Sequence, residues 1–530
     1  MGKKILIIRL SSLGDIILTS AAVINLKIAC PDSRITFLCK EDYRPVVELI
    51  SGVDQIVTVP RNCSAATYFK LLLELDGENF GTLVDLQGNI RSWFARKIIT
   101  ANTTVKYPKR RFHRLLAVTG KVIPRLWPHT IDLYNEAVVR AGADACCRRP
   151  VLKIPRPETD ERFDKFVTNH PQYIVISPGA AHTNKQWPLE KFEQVSADLK
   201  SAEAVSSIWV LTGNDGDAIT RLEQRVDADD LVLVDYPIPR LARIIAGAQL
   251  TVSNDSGIAH LASAVGTPVV AVFGPTHPAL GFSPRGLLDE VVEVDEYCRP
   301  CSLHGKKPCY RDRRYCFDRI SPEMVGESAA KTLAAQKETA PAVFVDRDGT
   351  IIVDKNFLSS PDEIEFEEGA VKALRLLRDQ GFRIVIISNQ SGVARGFFST
   401  EAADRVNACL LELLAAEHVD IDAVYYCPHH PEGSVNEYAI KCDCRKPGPA
   451  MAEEAAYQVG ADFRKSYVVG DKIDDVNLAG VIGATPVLVG TGYGRGTRSQ
   501  IENTEFYSNV WFADNILAAA RRITEAGKDD

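Results

Sequence analysis

No stretch of this chain is apolar for long enough to span a membrane, and none shows a short-period repeat or low-complexity composition. Membrane spans and solenoid architectures are therefore not expected. Lys3 and Lys4 precede an apolar run at the N-terminus, but Arg9 cuts it short, so no signal peptide is expected. Met1-Gly2 is followed at position 6 by Leu6, where a myristoylation signal needs Ser or Thr. Excess positive charge is also missing. The formal net charge is −7, which gives no reason to look for nucleic acid. The 13 cysteines are an odd number without an export signal, as in a reducing compartment, where clustered cysteines are better read as metal ligands than as disulfides. With 530 residues, 45% hydrophobic and 25% charged, there is material for several ordinary globular domains.

The stretch Val343–Thr350 (VFVDRDGT) organises the second part of the chain. Its apolar run is too short for a helix and suits a buried strand. Asp346 and Asp348 then stand just past the strand's carboxyl end, where open α/β sheets place ligands. Two carboxylates this close repel unless a divalent cation neutralises them. Before this stretch lies one complete α/β pattern, and after it another.

In the first pattern, Lys4–Arg9 reads as a strand and Asp15–Ala29 as a helix, with Ser11, Ser12, Gly14 and Asp15 at the junction. By position, Asp15 is a helix N-cap or first-turn carboxylate. Further strands are expected at Arg34–Cys39, Gln55–Val59 and Thr82–Asp85. From Asp85 to Arg125 the chain carries ten basic residues, and Asp85 is the only acid. Such a span is either a solvated helix face with a basic loop or a positive field for an anionic partner, with phosphorylated lipid or sugar ahead of nucleic acid. After the Pro150–Pro157 connector, strands at Tyr173–Ser177, Ile208–Thr212, Leu250–Ser253 and Val269–Phe273 each end in a loop of small and polar residues. The N-terminus of the helix after Asp255, Ser256 and Gly257 suits a pyrophosphate, with Lys185 to neutralise it.

The segments RLSSLGDIILTSAA, DLQGNIRS, PGAAHTNKQWP and SNDSGIAHLASAVGTPVVAVFGPTHP resemble glycosyltransferase family nine, the lipopolysaccharide heptosyltransferases, over residues 1–337. The resemblance implies a GT-B fold of two Rossmann-like halves, an acceptor half at about 1–155 and a donor half at about 156–337. It implies ADP-heptose as donor and an anionic, lipid A-linked core saccharide as acceptor, met at the inner face of the membrane by a cytoplasmic protein. It makes Asp15 the general base and sets Lys185, Asp255, Ser256, Gly257, His260 and Thr276 on the donor side. Cys298, Cys301, Cys309 and Cys316 have spacing for a tetrahedral zinc, but reduced, packed cysteines are the preferred reading. A helix is expected over Pro322–Ala335, then a polar connection over Gln336–Pro341, which sets the linker at 338–342.

In the second pattern, strands Arg383–Ser388 and Tyr467–Gly470 bring Ser388, Asn389, Gln390 and Ser391, then Asp471 and Lys472, toward the edge where Asp346 stands. Arg445 and Lys446 precede Pro447. The chemistry reads as phosphoryl transfer. Asp346 is the nucleophile and Asp348 the acid and base. Mg2+ sits on Asp346, the Asp348 carbonyl and Asp471, while Ser388, Asn389 and Lys446 hold the phosphoryl oxygens. Cys427, His429, Cys442 and Cys444 form a Cys-x-His and Cys-x-Cys set for structural Zn2+, with His430 the poorer ligand.

DRDGTI, SNQSGVARGFF, YYCPHHPEGSV, CDCRKPGPAM and VVGDKIDDV resemble the haloacid dehalogenase (HAD) superfamily, and within it the heptose 1,7-bisphosphate 7-phosphatases, over residues 343 to about 495, within a domain expected at 343–530. That resemblance implies a Rossmannoid domain with a zinc-binding loop. It adds Asp354, Lys355, Asn356, Phe357 and Arg445 to the substrate pocket and Lys472 to the magnesium site. Histidinol-phosphate phosphatases share these motifs and a similar zinc loop, so histidinol phosphate or another small ester stands as the alternative substrate. For the first region the alternatives are another sugar transferase or a non-catalytic carbohydrate- or lipid-binding module.

Overall fold

Short runs such as KILII, YIVIS and AVFV bury both faces, as parallel strands covered by helices must. They build three parallel sheets in a computed structural model that describes residues 4–120, 127–225 and 229–527. Met1, Gly2, Lys3, Lys121 and Arg125, named above, lie outside the described residues. The chain divides into two compact units, Met1–Lys337 and Glu338–Asp530.

The first unit holds two sheets. One contains β1 (Lys4–Ile8), β2 (Arg34–Lys40), β3 (Gln55–Val59), β4 (Phe80–Asp85) and β5 (Ala101–Lys106), in the order β3-β2-β1-β4-β5. The other contains β6 (Tyr173–Ser177), β7 (Ser206–Leu211), β8 (Leu231–Val234), β9 (Thr251–Asn254), β10 (Val269–Val272) and β11 (Glu290–Val292), in the order β11-β10-β9-β6-β7-β8. The second unit has one sheet of β12 (Ala342–Val345), β13 (Arg383–Asn389), β14 (Ala423–Cys427), β15 (Tyr467–Gly470), β16 (Thr485–Val489) and β17 (Trp511–Ala513), ordered β14-β13-β12-β15-β16-β17. Separate apolar cores lie against the three sheets, around Leu6, Ile8 and Leu83, around Ile176, Trp209 and Val252, and around Val343, Val345 and Ile386.

In each sheet the strand order reverses beside the strand that opens it. The reversals fall between β1 and β4, between β6 and β9, and between β12 and β15. At such a point neighbouring loops leave in opposite directions and open a crevice at the carboxyl ends. The segments that leave the sheets there carry Asp15, at the start of a helix, and Asp255 and Asp346, on loops.

Two expectations need correction. The helix expected over Asp15–Ala29 is two helices, Leu13–Leu18 and Ser20–Ala29. The break falls where Thr19 and Ser20 turn their hydroxyls back onto the carbonyls of Ile16 and Ile17. The closing helix runs Pro322–Lys337, so it takes in Gln336 and Lys337. Beyond that helix, Ala340 bridges Ala461 and Ala342 opens β12. Among the described residues no helix is long and apolar enough to cross a membrane.

Candidate active sites

Asp346 follows β12 directly, and its amide donates to Val469 O across the sheet at 2.9 Å. Lys446 Nζ is buried between two acids, 2.7 Å from Asp346 Oδ1 and 2.6 Å from Asp475 Oδ1, and donates to Ile387 O at 2.9 Å. Burial alone would lower the Lys446 pKa, but the charges of Asp346 and Asp475 outweigh it and hold the ammonium charged. Burial pushes the Asp346 carboxyl up to about 6, against the pull of Lys446.

Asp471 stands at the end of β15, beside Asp346. Its Oδ2 accepts from the Tyr493 amide at 2.8 Å, while its buried Oδ1 has no hydrogen-bond partner. Burial and the neighbouring Asp346 charge push this carboxyl up to about 8. Carboxylate oxygens of Asp346, Asp471 and Asp475 all lie within 4.8 Å of one another. Three buried acids, one with an orphaned oxygen, fit a hard divalent cation, since a buried charge without partner or cation is costly. Two glycines make room around Asp471. A Cβ on Gly349 would come 2.5 Å from Asp471 Oδ2, and one on Gly492 would come 2.2 Å from it.

The Asp348 carboxylate points elsewhere. Its Oδ2 accepts from Arg347 Nη2 at 3.0 Å, from Gln390 Nε2 at 2.7 Å and from Ser388 Oγ at 3.4 Å. Burial would raise its pKa, but the Arg347 charge and the hydrogen bonds from Gln390 and Arg347 together outweigh it and keep it ionised. The Asn389 side chain grips the Lys446 main chain at both ends, accepting from the amide at 2.9 Å and donating to the carbonyl at 3.1 Å. Ser391 begins the short helix Ser391–Ala394.

Around the mouth, Lys472 Nζ pairs with Asp354 at 3.2 Å and Lys355 with Glu365 at 2.9 Å. Asn356 and Phe357 both have positive φ, 52° and 74°, a conformation costly for residues with a Cβ and one that collects at binding sites. Asn356 Oδ1 accepts from Tyr493 Oη at 3.1 Å, and the exposed Phe357 ring packs 4.7 Å from that of Phe397.

The cysteine–histidine set converges as its spacing predicts. Cys444 Sγ lies 3.1 Å from Cys427 Sγ and 3.2 Å from both Cys442 Sγ and His429 Nδ1, and Cys427 Sγ lies 3.5 Å from Cys442 Sγ. Three thiols and one imidazole nitrogen this close match the ligand shell of a tetrahedral zinc. His430 faces Arg395 Nη2 at 3.3 Å instead. Arg445 Nη1 reaches His429 O at 3.4 Å, so the loop also holds the residue before Lys446.

In the first unit Asp15 is the third residue of helix Leu13–Leu18 and accepts from the Ser12 amide at 3.3 Å and Ser12 Oγ at 2.8 Å. Its other oxygen meets the buried Arg9 guanidinium at 2.6 Å. Burial would raise the Asp15 pKa, but the Arg9 charge and the Ser12 hydrogen bonds together outweigh it and keep the acid ionised. Helix Gly257–Ala264 packs onto this corner so tightly that a Cβ on Gly14 would sit 2.4 Å from His260 Cδ2, and one on Gly257 2.8 Å from Leu13 Cδ2. His260 is buried with Nδ1 unpartnered, and burial lowers its pKa, leaving a neutral ring beside Asp15.

Asp255 Oδ2 receives Lys185 Nζ and Thr276 Oγ1, each at 2.7 Å, and Ser256 caps the helix by accepting from the Ile258 amide at 3.2 Å. A cavity of about 410 Å3 opens beside the loop that carries Lys185, lined by Gly179, Asn184, Gln186, Trp187, Asp215 and Arg314. Cys298, Cys301, Cys309 and Cys316 line one tight space without meeting the mutual proximity of the zinc set. Asp85 is fully buried, accepting from the amides of Gln87 and Gly88, from Ser92 Oγ and from Arg96 Nε.

Sequence reasoning missed Asp475, Arg347, Arg9 and Tyr493. Asp475 had one available signal, a second acid pair right after the GDK turn, but it reads equally as a helix first-turn acid.

Fold and acid clusters together define an α/β chain of two enzyme types, a GT-B glycosyltransferase and a HAD hydrolase. The model of glycosyltransferase family 9 (heptosyltransferase) matches residues 68–309, and a HAD-hydrolase-like model matches residues 443–519. The chain is 45% identical over 157 residues to the D-glycero-beta-D-manno-heptose-1,7-bisphosphate 7-phosphatase of Yersinia pestis, covering 29% of this chain and 83% of that protein. The Escherichia coli K12 phosphatase of the same name is 44% identical over 156 residues, 29% of this chain and 82% of that protein. Through its C-terminal unit the chain belongs to this heptose bisphosphate phosphatase family, fused to a glycosyltransferase family 9 domain. The fold of the first unit is shared with a glycosyl transferase family 9 structure from Veillonella parvula, at TM-score 0.51 and 20% identity over 63% of this chain and 97% of that one.

Proposed function

We propose that this chain is a bifunctional heptose enzyme of lipopolysaccharide inner-core synthesis. Its C-terminal unit removes the 7-phosphate of D-glycero-D-manno-heptose 1,7-bisphosphate. Its N-terminal unit moves heptose from ADP-heptose to a lipid A-linked core acceptor. The observation that carries the first reading is the buried Asp346–Lys446–Asp475 bridge beside the half-unpartnered Asp471.

Asp346 attacks phosphorus, forming an aspartyl phosphate as the bond to the sugar 7-oxygen breaks. Asp348 gives that oxygen a proton, then takes one from the water that cleaves the aspartyl phosphate. Its contact with Arg347 suits the proton-accepting half of this cycle. To donate, Asp348 must exchange Arg347 for the leaving oxygen. Lys446 neutralises the phosphoryl oxygens and holds Asp346 in line, and Asn389 fixes the Lys446 main chain. Asp346, Asp471 and the Asp348 carbonyl would hold a magnesium ion, which supplies charge neutralisation at the phosphoryl group. Cys427, His429, Cys442 and Cys444 would hold a structural zinc ion, and the loop they close would fix Arg445 and Lys446.

In the transferase unit Asp15 takes the proton of the acceptor hydroxyl as it attacks the anomeric carbon. Arg9 keeps Asp15 ionised for that task. Lys185, Asp255, Ser256, Gly257, His260 and Thr276 form the donor side, where the Lys185–Asp255 pair can reopen to place the ammonium on a pyrophosphate.

The test is phosphate release from both anomers of heptose 1,7-bisphosphate, with histidinol phosphate as comparison. Asp346→Asn should cut release by roughly a thousandfold or more. No release from either anomer by the unaltered chain would overturn the phosphatase reading.

A further inference from the structure

Two surface helices of the first unit are built inside out. In Ile90–Ile98 the residues turned inward are Ser92 and Ala95, while Ile90, Trp93 and Phe94 face solvent. In Arg111–Thr119 the inward pair is Arg114 and Ala117, and Phe112, Leu115 and Leu116 face solvent. Each outward trio has the i, i+3, i+4 spacing of one helix face, the pattern that normally seeks a core. These six side chains are between 39 and 68% exposed. Arg111 Nη2 donates to Gly88 O at 2.6 Å, which brings the starts of the two helices together.

The surroundings are positive. Arg91, Lys97, Lys106 and Arg111 are exposed and form no ion pair among the described residues. Arg96 is spent on Asp85, and Arg110 on Glu136. Large apolar side chains rimmed by long cations suit a surface whose interior is hydrocarbon and whose face is anionic. The chains enter the acyl boundary, Trp settles at the interface, and Lys and Arg reach the headgroups. A second copy of the same face would bring like charges together, which disfavours self-association there.

We propose that the paired outward faces of helices Ile90–Ile98 and Arg111–Thr119 dock the chain on an anionic lipid bilayer. The proposal deepens the transferase reading and rests on it for its purpose, since a lipid-linked acceptor lies at such a surface. Its test does not depend on that reading.

The full chain is sedimented with vesicles of phosphatidylcholine alone, or of phosphatidylcholine and phosphatidylglycerol in equal parts. It should pellet with the mixed vesicles and be released by salt. The triple variant Trp93→Ser, Phe94→Ser, Phe112→Ser should bind on the order of tenfold or more weakly, with unchanged circular dichroism and melting. Should that variant fail to fold, Arg91→Glu with Lys97→Glu should lose the preference for phosphatidylglycerol. Bromine-substituted acyl chains should quench the fluorescence of the unaltered chain, and Trp93→Phe should lose most of that quenching while still pelleting. Absence of pelleting by the unaltered chain overturns the proposal, as does undiminished binding by the triple variant. So does a dimer that the triple variant abolishes without any vesicle binding. Heptose transfer to a de-acylated, water-soluble acceptor is read separately. Its absence from the unaltered chain would sink the transferase reading and leave bilayer docking standing.

Discussion

Asp471 links the site's chemistry to a measurable pH dependence. Its carboxyl is raised from the ordinary 3.8 to about 8 by burial and by Asp346. Between those values the cation-free folded chain holds a proton that the unfolded chain releases, so its stability falls as pH rises through the interval. A cation must displace that proton. Magnesium affinity should therefore climb from about pH 6 to about pH 8, by up to about tenfold per pH unit for one proton released. Isothermal titration at the two pH values checks this, and an unchanged dissociation constant would contradict it. Gly492→Ala should weaken magnesium binding as well, because its Cβ would press on Asp471 Oδ2. Asp346, Asp348, Lys446 and Asp471 were legible in the sequence because each ends a strand or follows a fixed motif. Asp475 and Arg347 were not. Their work depends on which neighbour each side chain faces across the fold, and spacing along the chain does not carry that.

The loop that carries the cysteine–histidine set is the element with the most to lose. It runs from Cys427, the last residue of β14, to Cys444, and Lys446 follows two residues later. Cys444→Ser should abolish stoichiometric zinc, measured by a colorimetric chelator assay, and lower phosphate release with it, since Lys446 loses its anchor. Zinc-free protein with full activity would refute a structural role for the loop. Elements with apolar runs were legible to within a residue or two, as at β1, β3, β6 and β15. β5 was not, because ANTTVK is an edge strand exposed along most of its length and shows no apolar pattern. The break at Thr19 was hidden for a different reason. Two hydroxyls compete for helix carbonyls in the middle of a segment whose pattern otherwise reads as one continuous helix.

At the scale of the whole molecule, the two activities should separate. Asp15→Ala should remove heptose transfer and leave phosphate release unchanged, and Asp346→Asn should do the reverse, as each acid sits in its own compact unit. Paired assays on both variants test this, and a substitution that lowers both rates would point to coupling. The three-sheet plan was legible because every strand–loop junction with polar ends marked a candidate crevice. Which junctions fall at a reversal of strand order depends on pairing between distant strands and emerged only from the fold. The burial of Asp85 has a consequence for handling the protein. The only carboxylate in a span of ten basic residues is turned inward and neutralises only Arg96, so among the described residues Arg91, Lys97, Lys106 and Arg111 stay exposed with no acid paired to them. A chain with a pI near 5.9 should then be retained by a cation-exchange or heparin column at neutral pH, gripped by one side while its net charge argues for the flow-through.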